Sequence, residues 1–509
     1  MSHVIECLRA RAQLTPQRVA IESGQRSLTC AQLVVAVERA GERLRACADD
    51  RGSIALLADN GIDWVVADLA ALARGIALVP LPLFFSTAQM IHAIRSAGVR
   101  CVVTDRPSTL SAAFGLAVTA PAIITGNLWA VPVPACAETP LRSGTQKVTF
   151  TSGTTGEPKG VCLSAAQMEA TAEALRLATA ARANDRHLCL LPLPTLLENI
   201  GGIYTPLTAG ARVIVPPLAE VGITGSSGLD VPRLVQAINR HVPTSLILVP
   251  QMLDALLQAL GAGLSLPRSL RFVAVGGAPI ARRTLEAAER AGLPVYEGYG
   301  LSECASVVAL NRPDARRVGS VGRPLPHAQV SIARDGEILV DGIDSIGYLG
   351  DAAGAEQGPV PTGDLGHFDA HGYLYVTGRK KSVFITSFGR NVAPEWVERE
   401  LVARAPIAQA AVFGEARPFN SAVIVARGGA TESAIAAALA ETNASLPDYA
   451  RIGAWIPADA PFAVENGQST PNGRLRRASI GAAYGDRLEA LYQHRCTESL
   501  DGIIYNVAK

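Results

Sequence analysis

Short apolar runs alternate with amphipathic helical stretches along most of this chain, and that rhythm restricts its fold more than any other feature. In the first third, runs such as SIALLA and VRCVVTD are interleaved with stretches such as LTCAQLVVAVERAGERLRA, an order that predicts βαβ units and a largely parallel sheet. The rhythm resumes with ARVIVPP, VPRLVQAINRH, SLILVP, MLDALLQAL, RFVAVGG and ARRTLEAAERAG, predicting a second doubly wound layer over roughly residues 200–300. From about 315 to 378, short strands with Gly and Asp turns (VSIARDGEILVDG, HFDAHGYLYVTG) predict a small β-rich subdomain. After GRKKS, a helical stretch (APEWVERELVARAP) and two strands (QAAVFGE, SAVIVARG) predict a compact α+β unit. The expected fold class is α/β: stacked doubly wound sheets plus the β-rich subdomain over residues 1–378, a junction at 379–382, and a small α+β domain over 383–509. No internal repeat or low-complexity segment interrupts this plan.

Composition removes several function classes. The 46 basic residues balance 45 acidic ones over 509 residues, so the net charge of +1 creates no field that would gather nucleic acid or an anionic membrane. With 18% charged and 49% hydrophobic residues the chain is not disordered, and a membrane span has to be tested. The longest uncharged stretch, Pro107 to Ala137, is broken by Pro121, Gly126, Asn127, Pro132 and Pro134, leaving no apolar segment of about 20 residues. The N-terminus lacks the apolar run and cleavage site of a secretory signal, so a cytoplasmic location is expected. Nine cysteines without a C-x-x-C pair suit reduced, buried thiols. Lysine occurs only at Lys147, Lys159, Lys380, Lys381 and Lys509, the mark of arginine drift in a high-GC genome.

The most informative segment is VTFTSGTTGEPKGV, Val148 to Val161. An apolar run delivers the chain into Thr151, Ser152, Gly153, Thr154, Thr155 and Gly156, followed by Lys159 and Gly160. Glycines let successive backbone N–H groups converge on one point, and the hydroxyls and the ammonium add donors, which suits phosphate oxygens. The spacing differs from that of a P-loop. This segment resembles the signature of the adenylate-forming superfamily, which includes acyl-CoA synthetases, aryl-CoA ligases, luciferases and nonribosomal peptide adenylation domains. LTPQRVAIESGQRSLTCAQL and DNGIDWVVADLAALARGIALVPL before it, and GGAPI, YEGYGLSE, TGD, GRKKSVFITSFGRNVAPEWVE and TPNGRLRR after it, stand in the family's order and spacing, so the resemblance spans nearly the whole chain.

The resemblance implies an enzyme that uses ATP and Mg2+ to convert a carboxylic acid into an acyl-adenylate with release of pyrophosphate. A thiol, most simply that of CoA, then takes the acyl group. In Glu297, Gly298, Tyr299, Gly300, Ser302 and Glu303 it implies adenine packing on Tyr299, an α-phosphate contact at Ser302 and a Mg2+ ligand at Glu303. It assigns ribose recognition to Asp364, a nucleotide contact to Arg379 and the hinge to Lys381, about which a mobile C-terminal domain turns between two half-reactions. The loop around Gly389 lines the pantetheine channel in relatives. In the segment Gly276, Gly277, Ala278 and Pro279 the two glycines have no side chains to block a pocket, which would leave room for an acyl chain or ring, and a strand-to-helix turn needing glycine is equally compatible. His367 and His371 lie in a turn between strands and make a poor metal pair.

Four positions depart from the family pattern. Ser382 and Phe388 stand where Asp and Gly are usual, and Thr195 stands for a common histidine with Glu198 shortly after. The largest departure is Arg474, in Thr470-Pro471-Asn472-Gly473-Arg474, where the family carries a lysine that bridges carboxylate and α-phosphate. Two readings compete: a site that tolerates arginine, with Arg474, Arg476 or Arg477 in the role, or a nucleotide-binding homologue impaired in adenylation. A working enzyme for a fatty or aryl acid is the expectation. A carrier-protein phosphopantetheine or an amine remains open as acceptor, and oligomeric state has no signature.

Overall fold

In the computed structural model of the protein, helix Ile62–Arg74 is buried at every position from Ile62 to Leu72. A helix buried on all sides has to be covered on all sides, and here helix Cys30–Cys47 and strands of two sheets cover it. The structure describes residues 2–48, 53–108, 110, 122–133, 141–151, 158–225, 228–343, 345–350, 358–388, 390–470, 473–494 and 505–506.

The first sheet has eight strands in the order Gly347–Tyr348, Lys159–Leu163, Lys147–Thr151, Leu78–Pro80, Ser53–Leu57, Val99–Thr104, Leu128–Pro132 and Ala122–Thr125. Its centre is parallel and its flanks are antiparallel. The second has nine, with parallel neighbours running from Val19–Ser23 through Arg212–Ile214, Arg186–Leu188, Ser245–Leu248 and Phe272–Val275 to Val295–Leu301. Strands Arg26–Thr29, Ser306–Leu310 and Arg323–Pro324 add antiparallel edges. The second layer expected over residues 200–300 therefore also recruits Val19–Thr29 and Arg186–Leu188. Periodicity marks a strand, while the choice of partner sheet depends on contacts far away in sequence.

One continuous core between the sheets holds helices His3–Leu14, Cys30–Cys47, Ile62–Arg74 and Ala165–Ala178. Helix Cys30–Cys47 starts on a capping box in which Thr29 and Gln32 satisfy each other's backbone N–H groups. Outside the nine-stranded sheet a separate core packs helices Val231–His241, Pro250–Gly261 and Arg282–Arg290. Helix Thr87–Ser96 covers the outer face of the eight-stranded one. The β-rich subdomain is an antiparallel sheet of Gln329–Ile332, Glu337–Asp341, Val360–Phe368 and Leu374–Arg379.

The C-terminal part has its own sheet, Ile407–Phe413, Asn420–Ala426, Ile452–Pro457 and Tyr505–Asn506. Helices Pro394–Val402 and Glu432–Ser445 cover one face and Arg477–His494 the other, each over its own core. The fold is α/β, with a large N-terminal and a small C-terminal domain. Among the described residues no helix is long and apolar enough to cross a membrane.

Within the central core, Asp68 of the buried helix and Lys147 of strand Lys147–Thr151 form an ion pair at 2.6 Å with side chains 0% and 2% exposed. Truncating one partner strands the other charge in a dry interior. Asp68→Ala is expected to cost about 3–5 kcal/mol of unfolding free energy, read from the urea midpoint at unchanged slope.

Candidate active site

Strand Val295–Leu301 carries Glu297 to Leu301 to the edge of the nine-stranded sheet, and a tight hairpin then returns it as Ser306–Leu310. Gly300 is required there, because a Cβ would run into the carbonyl of Ser306. The turn between them, Ser302–Cys304, ends on two non-glycine residues with positive φ, Ala305 at 51° and Ser306 at 89°. Such backbone persists only where its surroundings hold it, and it sets Ser302 and Glu303 at the rim of the sheet.

Glu303 is fixed from two sides. Its backbone carbonyl accepts from Gln167 Nε2 at 2.8 Å, and its Oε1 accepts from the hydroxyl of Tyr348. Tyr348 lies on the short strand beside Lys159–Leu163, and the exposed Lys159 ammonium stands 6.0 Å from its ring centroid. Thr151 and Lys159 are register partners at the ends of their two strands. Ser152, Gly153, Thr154, Thr155 and Gly156 lie outside the described residues, as does Gly389.

A second group forms where Asp364 and Arg379 face each other in antiparallel register. Arg379 Nε lies 2.7 Å from Asp364 Oδ1, and the Tyr299 hydroxyl donates to Asp364 Oδ2 at 2.7 Å. Burial raises the Asp364 carboxyl above its ordinary value, against the pull of Arg379, the Tyr299 hydrogen bond and Arg474. The phenol of Tyr299 is likewise raised, by burial first and then by the Asp364 charge.

Arg474 reaches this group from the C-terminal part of the chain. Its turn is closed by Thr470, whose N–H donates to the Arg474 carbonyl at 2.7 Å and whose Oγ1 accepts from the Arg474 N–H at 3.1 Å. Gly473 within the turn has φ +74° and stands against the Gln251 carboxamide. The walls around Arg474 lower its guanidinium from the ordinary value, as does Arg379, while Asp364, Glu303 and Tyr299 act in the opposite sense. The side chain nevertheless stays exposed, so it stands in an open cleft rather than in a sealed interior. Arg477 is committed elsewhere, to Glu395 at 3.5 Å and Glu398 at 2.5 Å.

Glu297 is buried, and its Oε2 has no hydrogen-bond partner among the described residues. Burial pushes its carboxyl up to about 8, with Arg399 of the C-terminal domain opposing the rise. The glycines of GGAPI divide. A Cβ on Gly276 would press on the Gly298 carbonyl at 3.0 Å, so Gly276 serves the approach of two strands rather than a ligand. Gly277 has φ +84° and open space beside it, and Ala278 and Pro279 continue the same turn. A Cβ on Gly298 would touch Leu310 at 3.0 Å.

Lys381 is exposed, whereas Lys380 is held by Asp335 and Glu337 at 2.6 Å each. His367 stacks on Tyr375, and His371 is exposed in the turn between the two strands. One cluster among the described residues has metal-like spacing, with donor atoms of His187, Cys189 and Glu198 within 4.8 Å. Both Glu198 oxygens are already engaged, by His187 Nε2 at 3.0 Å and by the N–H groups of Leu190 and Leu191 at 3.3 and 2.9 Å, so the cluster is satisfied internally. Sequence reasoning did not find Tyr348, Gln167 or Gln251. The one signal for Gln167 is a polar residue on the buried face of its helix.

Known proteins share this fold. The family described as AMP-binding enzyme matches residues 8–347, and the AMP-binding enzyme C-terminal domain matches 381–495. A 2-succinylbenzoate–CoA ligase of Bacillus cereus (strain AH820) is 30% identical over 430 residues, covering 80% of this chain and 84% of that protein. The O-succinylbenzoate coenzyme A synthetase of Bacillus subtilis, solved with ATP and magnesium ion, aligns at 26% identity with a TM-score of 0.75 over 93% of this chain and 98% of its own. An anthranilate CoA ligase solved with anthranoyl-AMP shares the fold at 19% identity, with a TM-score of 0.80 over 94% of this chain and 96% of its own. With both its domains matched and its length spanned by such relatives, the chain belongs to the family of AMP-binding, adenylate-forming enzymes.

Proposed function

We propose that this protein is an AMP-forming acid–CoA ligase acting on an aryl acid. The observation that carries the reading is the seating of the Thr470–Arg474 turn of the C-terminal domain, whose Gly473 stands against Gln251 of the N-terminal domain and whose Arg474 feels the charges of Arg379, Asp364 and Glu303 and the phenol of Tyr299. A cation delivered there by a separate domain has the use the family gives its lysine, which favours a working enzyme over an impaired homologue. The relatives named for 2-succinylbenzoate favour an aryl over a fatty acid and CoA as the acceptor.

In this reading the acid's carboxylate attacks the α-phosphorus of ATP and pyrophosphate leaves. Asp364 accepts from the ribose hydroxyls, and Tyr299 packs against the base. Lys159 and the Ser/Thr/Gly segment before it neutralise the departing phosphates, and Arg474 holds carboxylate and α-phosphate together. The donor set fits a hard cation, since Glu303 is an accessible carboxylate beside the lysine of the phosphate segment. Mg2+ held by Glu303 would supply charge neutralisation on the phosphates. The C-terminal domain then turns about Lys381, withdrawing Arg474 and admitting the thiol.

Acid-dependent pyrophosphate release with ATP and Mg2+ is expected across an aryl-acid panel, with hydroxylamine trapping the adenylate. Silence with every aryl, fatty and amino acid would overturn the reading. Lys159→Ala should slow this step by about 10²-fold or more. Arg474→Ala should do the same while sparing CoA attack on a preformed adenylate. Arg474→Lys should change adenylation little or lower it, and a large gain would restore the impaired reading. For Glu297, the folded state binds the proton more tightly than the unfolded chain. Its contribution is thus present below the ordinary carboxylate range and lost as pH rises toward 8. Glu297→Gln should remove a pH-dependent loss of stability on the order of a few kcal/mol between about pH 5 and 8, followed by thermal unfolding across that window.

A further inference from the structure

The Lys147 ammonium donates to Asp68 Oδ1 at 2.6 Å, to Asn199 Oδ1 at 2.5 Å and to the Tyr204 hydroxyl at 3.1 Å. Asn199 Nδ2 and the Tyr204 hydroxyl in turn donate to Asp68 Oδ2, at 3.1 and 2.8 Å. All three ammonium protons and both carboxylate oxygens are engaged, in a region where none of the four residues is more than 2% exposed. A charge pair is a poor device for stability alone, since apolar residues of similar volume commonly serve as well.

Its partners lie at positions with a common purpose. Lys147 begins the strand that ends at Thr151 and leads into the Ser/Thr/Gly segment. Asn199 and Tyr204 are the first and last residues of a π-helical turn, a rare conformation frequent at functional sites. The residue just before it, Glu198, is tied to the other sheet through His187, whose Nδ1 is 3.0 Å from Ser245 Oγ. The π-turn is thus pinned at adjacent residues to both sheets. The helical turn leading into it, Leu196–Glu198, packs on strand Ser306–Leu310, which follows Glu303.

We propose that Lys147, Asp68, Asn199 and Tyr204 form a positioning cluster that fixes the distance between the strand leading into the Ser/Thr/Gly segment and the π-turn whose preceding helical turn packs on strand Ser306–Leu310, beyond Glu303. The functional half of this statement rests on the adenylation reading above. The mechanical half stands on the geometry alone: the two segments are held in one register by a shared cation.

The test is the double variant Asp68→Leu/Lys147→Met, which replaces the pair with apolar side chains. Its melting temperature should stay within a few degrees of the parent. Amide hydrogen exchange should nonetheless accelerate in both 147–151 and 199–204. Acid-dependent pyrophosphate release should lose about 10–100-fold in kcat, with a several-fold rise in KM for ATP. A double variant with parental exchange and parental kinetics would overturn the proposal, leaving the cluster a replaceable core element. Should the parent itself fail to form an adenylate, the adenylation reading falls and the exchange comparison still decides the mechanical coupling. Should the double variant not fold, Tyr204→Phe decides: faster exchange in both segments supports the proposal, and a change confined to 199–204 overturns it.

Discussion

A helix with no polar side to offer solvent is the constraint on which this molecule is built. Ile62–Arg74 is enclosed between two sheets, and that enclosure brings an eight-stranded and a nine-stranded sheet into one core. Once enclosed, the helix cannot leave Asp68 without a counter-charge, and one of only five lysines in the chain lies against it. The polar contacts in that core thus follow from the apolar ones. Burial creates the demand for an exact partner, and the partner is supplied by the strand that leads into the Ser/Thr/Gly segment.

The groups of the candidate site come from the ends of these layers rather than from their middle. Tyr299 and Glu303 project where a strand turns back, Asp364 and Arg379 face each other across a different sheet, and Arg474 arrives on a turn of a separate domain. Each is placed by its own element, so the site changes character when one element moves. Removing Arg474 from the cleft would take away a positive charge and open the space it fills. A single active site can in this way serve two successive reactions of opposite electrostatic need.

Part of the candidate site was legible in the sequence, because the residues singled out lie in short local motifs. Tyr299, Asp364 and Arg379 come from three such motifs and the structure joins them in one group, while Glu303 meets Tyr348 and Gln167 instead. Tyr348 was not legible. Its partner Glu303 is 45 residues away, and a Gly-Tyr pair carries no spacing signal. Gln167 reaches the same glutamate over 136 residues, and Lys147 reaches Asp68 over 79. Gly276 shows the opposite case, a residue whose place in a motif suggested room for a ligand and whose surroundings answer to strand packing. Local patterns specify what a segment can offer, and only the fold specifies what it meets.

The scarcity of lysine also makes the protein chemically addressable. Lys147 is sequestered and Lys380 is held between two carboxylates, whereas Lys159 and Lys381 are exposed at the phosphate segment and the domain junction. Among the described residues an amine-selective reagent applied to the folded chain therefore meets ammonium groups only at the start of strand Lys159–Leu163 and at the domain junction, where Lys380 is exposed as well as ion-paired. Covalent labelling, which reports diffusely on most proteins, is confined on this one to a few positions that mass spectrometry can tell apart, Lys509 being the remaining one.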